Sequence, residues 1–335
     1  MLFRSGCVNE PTKPSDKPPP VYTNNTSMNV VVENNTNQTL TSYGKCHQNN
    51  FTIAFILVAN SNSEVTPEKI QRVNEIKNAF PSIFYNATLG LANMDTSYPV
   101  VTIIYPTTED VAVVQKISKK FYESNPDNFD FINIFPANSN FSSVPTSYTQ
   151  AQSFTKGIGL PRYYDHSEEF GSNRKLLGSA YYKYSLEYMD LTEASANTII
   201  NEIGHQWCCY AGSSLGILDQ LGIHFDRAFD SKYENGAHFG SYHWIPNGDG
   251  TYRTNRKEVT VNRHHPFYLY FMGLYTENNF DFNTKFKLYN VTFDDRVTFN
   301  REISIKDIIA VEGKRECLDV LQNNEPSVGP TINNN

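Results

Sequence analysis

The chain has 335 residues, of which 39% are hydrophobic and 13% aromatic. This is enough to build a hydrophobic core in one large domain or two smaller ones. The net charge of −7 argues against a nucleic-acid partner held by phosphate contacts. No stretch reaches the roughly 18 apolar residues that a membrane-spanning helix requires, so we expect no transmembrane helix.

The two ends of the chain differ in composition from its middle. Residues 1–45 are rich in Pro, Asn and Thr and have little periodic hydrophobicity, which predicts a disordered tether. We also expect a disordered tail over 321–335. "SGC" at 5–7 resembles the end of a bacterial-type lipoprotein signal, and N-x-S/T sequons recur along this Asn-rich chain. Together these features favour an extracellular or cell-surface-tethered protein with one folded domain over 46–320.

The first half of that domain alternates between strand and helix patterns. The predicted elements are a strand over 51–60, a helix over 66–80, a strand over 99–106, a helix over 108–124 and a strand over 129–136. The first helix has Thr66 as its cap and Pro67 at its first position. This β-α-β-α-β order predicts an α+β fold with a mixed sheet covered by helices.

The second half is less regular. After a loop-rich stretch over 137–175, the segment 174–189 predicts an edge strand. A helix that begins at Asp190 or Thr192 is expected to end at Gly212. Residues 213–262 predict a loop-rich C-terminal subdomain, which is followed by a short buried helix over 265–275. The segment 295–311 predicts a closing β element and a short helix.

The stretch "TIINEIGHQWCCYAG" over 198–212 carries the main chemical signal. In the pattern H-E-x-x-H, two His side chains on one helix face bind a zinc ion, and the Glu polarises water. Glu202 and His205 occupy the Glu and second His positions, and Asn201 replaces the first His. A bare E-x-x-H also arises by chance, in which case Glu202 is a surface carboxylate and His205 a buried, hydrogen-bonded side chain.

Candidate third ligands lie downstream at His224, His238 and His243. Each of these residues has an alternative interpretation as an ordinary loop histidine. The adjacent His264 and His265 are expected to be a solvated pair.

"NEIGHQW" resembles the HExxHQW helix of the zincin metallopeptidases. In the gluzincin branch of that family a Glu ligand lies 19 residues after the second His, and here that position is His224. The segments "IHF" (223–225), "YLYFMGL" (268–274) and "IIAVEGKRE" (308–316) follow in an order similar to that of exported bacterial and archaeal zincin-like proteins. The resemblance covers roughly 129–316. It implies a zincin-like α+β fold with an active-site helix, a zinc ion bound by His205 and His224, and Glu202 as the general base.

Asn201 departs from the family pattern at a ligand position. An amide oxygen is a neutral, hard donor and a poor substitute for imidazole on zinc. Loss of about 3 kcal/mol from a four-ligand site would weaken zinc binding roughly a hundredfold. Cys208 and Cys209 follow closely and are interpreted as reduced core residues. In the alternative interpretation, one of them compensates as a ligand.

Two classes of function remain. The first is a zinc-dependent peptidase of reduced activity that acts on a peptide or protein substrate. The second is a catalytically inactive pseudopeptidase that binds a protein or glycan through the retained cleft. A serine or cysteine hydrolase has little support, because no G-x-S-x-G motif occurs.

Overall fold

A computed structural model describes a large part of the chain. The described residues are 48–106, 112–142, 145–160, 163–183, 186, 192–230, 242–254, 263–280, 284–291 and 297–317. They all lie in one compact unit, Leu40–Asn335. The predictions of a tether over 1–45 and a tail over 321–335 concern residues outside this set.

The described residues contain α-helices and β-strands in mixed order. The helices are α1 (Pro67–Ala87), α2 (Val113–Tyr122), α3 (Thr192–Gly204), α4 (Pro266–Met272) and α5 (Ile305–Glu312). The strands are β1 (Asn50–Ala59), β2 (Asn93–Asp95), β3 (Val101–Ile104), β4 (Phe131–Pro136), β5 (Ser147–Gln150), β6 (Gln152–Ser153), β7 (Thr155–Lys156), β8 (Tyr164–Asp165), β9 (Gly178–Tyr181), β10 (Trp244–Pro246), β11 (Thr251–Thr254), β12 (Phe286–Val291), β13 (Val297–Ile303) and β14 (Glu316–Cys317). The fold is therefore α+β, as the sequence predicts.

The principal sheet has six strands. Its order is β2-β1-β4-β9-β5, and β3 pairs with the other half of β1. The pairs within β1–β4 and β4–β9 are parallel, whereas β5 runs antiparallel to β9. The sheet therefore ends in one antiparallel edge strand.

Helices cover both faces of this sheet. On one face, α1 packs against α3 and buries Val73, Ile76 and Phe80 with Ile199 and Ile203. On the other face, a second apolar cluster joins α2 to the alternate side chains of β1 and β4. Strands that bury both faces read as continuous apolar runs, which explains the composition of β1.

Several predicted elements are confirmed. Helix α1 begins at Pro67, and Thr66 caps it by accepting a hydrogen bond from the Lys69 N–H. It extends beyond the predicted end, through Pro81, to Ala87. Predictions for β1, β3, β4, α2, α4, β13 and α5 are likewise confirmed.

Three local predictions are wrong. Helix α3 ends at Gly204, not at Gly212. The strand predicted over 174–189 is β9, but it lies inside the sheet between β4 and β5. The edge strand is β5, within the stretch predicted to be loop-rich.

The C-terminal part forms a smaller, antiparallel sheet with the order β10-β11-β13-β12. Next to it, His265 caps the start of α4, because its Nδ1 accepts a hydrogen bond from the Phe267 N–H at 3.1 Å. His264 and His265 are both buried, so the expectation of a solvated pair is wrong. None of the helices in the described part of the chain has the length and apolar character needed to cross a bilayer.

Candidate functional site

The end of α3 places Glu202 and His205 in one cleft of about 340 Å³. The helix stops one residue before His205, and the chain continues in tight turns. The Gly204 carbonyl accepts hydrogen bonds from the N–H groups of Trp207 and Cys208, both at 3.0 Å. Because Trp207 and the Ile203 side chain are buried in the core, the opposite side of this turn faces the cleft.

His205 is held in one tautomer. Its Nδ1 lies 3.0 Å from the carbonyl oxygen of Cys208. A carbonyl can only accept a hydrogen bond, so Nδ1 carries the proton and the lone pair of the neutral ring is on Nε2. Burial lowers the pKa of His205 to about 4, with a further contribution from the nearby His224. The ring is therefore neutral near pH 7, which is the state in which imidazole binds a metal.

His224 reaches the same cleft from a short loop that is closed by Asp219. The backbone N–H of Asp219 donates to the His224 carbonyl at 2.9 Å, and the Asp219 carboxylate accepts from the N–H groups of Ile223 and His224. Asp219 Oδ2 also lies 3.5 Å from His224 Nδ1. A carboxylate on one ring nitrogen orients the ring and directs the other nitrogen away from the loop.

The two imidazoles converge. The ring centres of His205 and His224 are 4.9 Å apart, and the ring planes are inclined at 69°. The two residues are 19 positions apart in sequence and come from different elements. The structure therefore brings together the two histidines that the sequence analysis singled out.

Glu202 lies at the floor of the cleft and is only 9% exposed. Burial raises the pKa of its carboxyl to about 7. The buried Tyr182, whose hydroxyl donates to Asn133 Oδ1 at 3.0 Å, is close enough for the Glu202 charge to contribute to a raised pKa of the tyrosine. A carboxyl with a pKa near neutrality can both accept and release a proton at physiological pH.

Asn201 also lines the cleft. Its Nδ2 lies 3.5 Å from Glu202 Oε1, which is at the long limit of a hydrogen bond. Its Oδ1 is buried and has no hydrogen-bond partner among the described residues. An unpaired buried oxygen is costly, and accepting a bond from a ligand or coordinating a cation would offset that cost.

The edge strand β5 forms the opposite wall. Thr146, Ser147, Tyr148 and Gln150 line the cleft there. This wall is not predicted from the sequence, because the composition of 137–175 is typical of loops. The alternation Tyr148-x-Gln150-x-Gln152 is the signal that could have identified a strand.

Of the remaining candidates, His243 and the two cysteines do not join this cluster. His243 Nδ1 pairs with Asp230 Oδ1 at 3.3 Å and does not line the cleft. His238 lies in 231–241, outside the described residues. Cys208 and Cys209 are bonded to each other as a disulfide and are fully buried. The interpretation of these cysteines as reduced residues is wrong, and neither sulfur is a thiolate that could replace the missing ligand.

The donors in the cleft are two imidazole nitrogens, one amide oxygen and the Glu202 carboxylate. Imidazole and oxygen donors are the types that bind zinc and other divalent transition metals. Within the described part of the chain, no group of three or more His, Cys, Asp or Glu side chains is arranged to hold a metal ion. The set therefore fits a metal only if Asn201 Oδ1 serves as a donor.

No protein-family model matches this chain, and no characterised protein has a significantly similar sequence.

Proposed function

We propose that this chain is a zincin-like metallopeptidase with a degenerate zinc site and reduced hydrolytic activity on a peptide or protein. The convergence of Glu202, His205 and His224 in one cleft is the observation that carries the proposal. These three residues occupy the positions that the HExxH-like pattern and its 19-residue spacing single out.

His205, His224 and the Asn201 amide oxygen would hold the ion. When bound, zinc supplies Lewis acidity to the peptide carbonyl and lowers the pKa of water. Asp219 orients His224, and the Cys208 carbonyl orients His205. These contacts fix both rings before any ligand arrives, which limits the entropy lost on binding.

Glu202 would act as the general base and then as the general acid. Its carboxylate accepts the proton of the attacking water and transfers it to the leaving amine nitrogen. In the metal-free chain the raised pKa of Glu202 keeps this group able to accept and release a proton near pH 7. The closed environment also limits competing water, because this side chain is mostly buried.

The edge strand supports a peptide as the ligand. β5 is the last strand of the sheet, and β9 is its strand partner among the described residues. An unpaired strand edge offers backbone N–H and C=O groups to an extended peptide. A peptide laid along β5 would lie at the cleft that Glu202 and His205 line.

A second candidate is a pseudopeptidase that binds a peptide in this cleft without hydrolysing it. Asn201 favours this function, because the site lacks one imidazole of the family pattern. The same cleft and strand edge would serve both functions. The two candidates differ in metal content and in dependence on Glu202.

The test combines metal content and hydrolysis. Purified protein is incubated with zinc and dialysed, and the amount of bound zinc is measured by mass spectrometry. Hydrolysis of casein is then followed with and without a chelator. We expect zinc to bind, the His224→Ala variant to bind it about a hundredfold more weakly, and Glu202→Gln to lose hydrolysis about 100-fold or more.

His243→Ala is the matched control. His243 is 33% exposed and paired with Asp230, whereas His224 is 30% exposed and paired with Asp219. The control should retain zinc and activity. Hydrolysis that resists chelation would overturn the proposal, and binding of peptide without zinc or hydrolysis would favour the pseudopeptidase.

A further inference from the structure

Gln206, the residue that follows His205, is buried and anchored across the cleft. Its Oε1 accepts a hydrogen bond from the Tyr148 hydroxyl at 2.6 Å. Its Nε2 donates to the Gln152 carbonyl at 2.9 Å, and its own carbonyl accepts from Gln150 Nε2 at 2.9 Å. Three hydrogen bonds therefore connect one residue at the end of α3 to the edge of the sheet.

The partners of Gln206 lie in β5 and at the start of β6. Tyr148 and Gln150 are two apart in β5, so their side chains share the face that looks toward α3. Gln152 follows a bend and offers its backbone carbonyl, while its own side chain donates to the carbonyls of Arg174 and Leu176. Ala151, between Gln150 and Gln152, packs into the apolar cluster on the other face of the sheet. We call Tyr148, Gln150 and Gln152 the strand ladder.

The turn that carries His205 is not part of a continuing helix. After Gly204 the next residues are held by single-turn hydrogen bonds, and the Tyr210 hydroxyl donates to the His205 carbonyl. Both polar side-chain atoms of Gln206 are hydrogen-bonded, although the Oε1 of Gln152 has no partner among the described residues. Directional bonds of this kind fix a geometry more tightly than apolar packing does, and here they act next to the His205 ring.

We propose that Gln206 is a positioning residue, which ties the end of α3 to the strand ladder and so fixes His205 relative to the opposite wall of the cleft. One of its two tests, the measurement of zinc affinity, rests on the proposed function. The other test, the NMR signal of the His205 ring in metal-free protein, does not depend on a metal.

Gln206→Met tests the inference with a side chain of similar length that cannot hydrogen bond. Tyr148→Phe is the milder variant, because it removes one bond and keeps the ring. Ser118→Ala is the matched control: Ser118 Oγ makes a buried hydrogen bond with Ser179 Oγ at 2.9 Å, on the face of the sheet covered by α2. All variants are first compared by thermal unfolding.

The first measurement is zinc affinity by chelator competition. We expect the zinc dissociation constant to rise about 10- to 100-fold in Gln206→Met, as for loss of other groups that orient metal ligands. A smaller rise of about threefold is expected in Tyr148→Phe. Ser118→Ala should match the parent.

The second measurement is the ring NMR signal of His205 in metal-free protein. The Nδ1 proton donated to the Cys208 carbonyl should give a slowly exchanging signal in the parent and in Ser118→Ala. This signal should be lost in Gln206→Met.

Each outcome decides the question. Parent-like zinc affinity and a retained ring signal in Gln206→Met would overturn the inference, as would changes no larger than those of Ser118→Ala. If no variant or parent binds zinc, yet only Gln206→Met loses the ring signal, the proposed function fails and the positioning role stands. If Gln206→Met does not fold, Tyr148→Phe decides through the same two assays.

Discussion

The replacement Asn201→His should strengthen zinc binding about a hundredfold. Asn201 lies one helical turn before His205, so an imidazole there enters the same cleft. Its Oδ1 has no hydrogen-bond partner among the described residues, and its one contact to Glu202 is long at 3.5 Å. The replacement therefore removes only one long contact and adds one strong zinc donor. That donor should contribute about 3 kcal/mol to zinc binding, or roughly a hundredfold in affinity.

The assay is competition for zinc against a chelating dye of known affinity. Asn201→Gln is the control, because it keeps an amide but adds no imidazole, and it should not bind zinc more tightly than the parent. The gain should disappear when Asn201→His is combined with His205→Ala, because ligands of one ion act together. If Asn201→His binds zinc no more tightly than Asn201→Gln, Asn201 is not at a ligand position and the site assignment is wrong.

Three further outcomes follow from the same contacts. Asp219→Ala should weaken zinc binding about 10- to 100-fold by releasing the His224 ring, as measured by the same dye competition; unchanged affinity would show that the ring needs no carboxylate. Because burial raises the pKa of Glu202 from 4.5 to about 7, the folded chain retains a proton that the unfolded chain releases in that window, and stability falls as pH rises through it. Metal-free Glu202→Gln should therefore be about 3 kcal/mol more stable than the parent at pH 8 and equal to it at pH 4 in urea unfolding; equal stability at both pH values would contradict the burial of the carboxyl. Because burial lowers the pKa of His265 from 6.5 to about 3, the unfolded chain takes up a proton in that window and stability falls as pH drops. His265→Asn, which keeps an acceptor for the Phe267 N–H, should reduce the acid dependence of the unfolding free energy by about 1.4 kcal/mol per pH unit; an unchanged slope would show that His265 does not set it.

Local patterns predicted the elements whose ends are determined by their own residues. Thr66 and Pro67 start α1 because a hydroxyl cap and a fixed proline φ act within one turn. The apolar runs of β1 and β4 predict buried strands because both faces are covered. These effects depend on neighbours in sequence, so a sequence reader can detect them.

The missed features depend on distant contacts. β5 contains Ser147, Tyr148, Thr149 and Gln150, and it has no apolar run to mark it as a strand. It forms because β9 pairs with it and because Gln206 bonds its side chains. The end of α3 was misplaced for the same reason, since no proline follows Gly204 and the turn there is held by contacts with the sheet.

The energetics of Glu202 favour a metal over a bare binding cleft. Burial of a carboxyl with a pKa raised to about 7 costs roughly 3 kcal/mol above that pH. Among the described residues, its side-chain hydrogen bond comes from Asn201, which is neutral. A cation held by His205 and His224 would offset this cost by stabilising the ionised form. A cleft that only binds peptides would gain nothing from a buried ionisable group, and a glutamine would serve it better. Zinc binding should therefore be accompanied by proton release, measured as a difference in binding enthalpy between two buffers of unlike ionisation heat. Zinc that binds without releasing a proton between pH 6 and 7 would separate Glu202 from the metal and leave the pseudopeptidase as the better account.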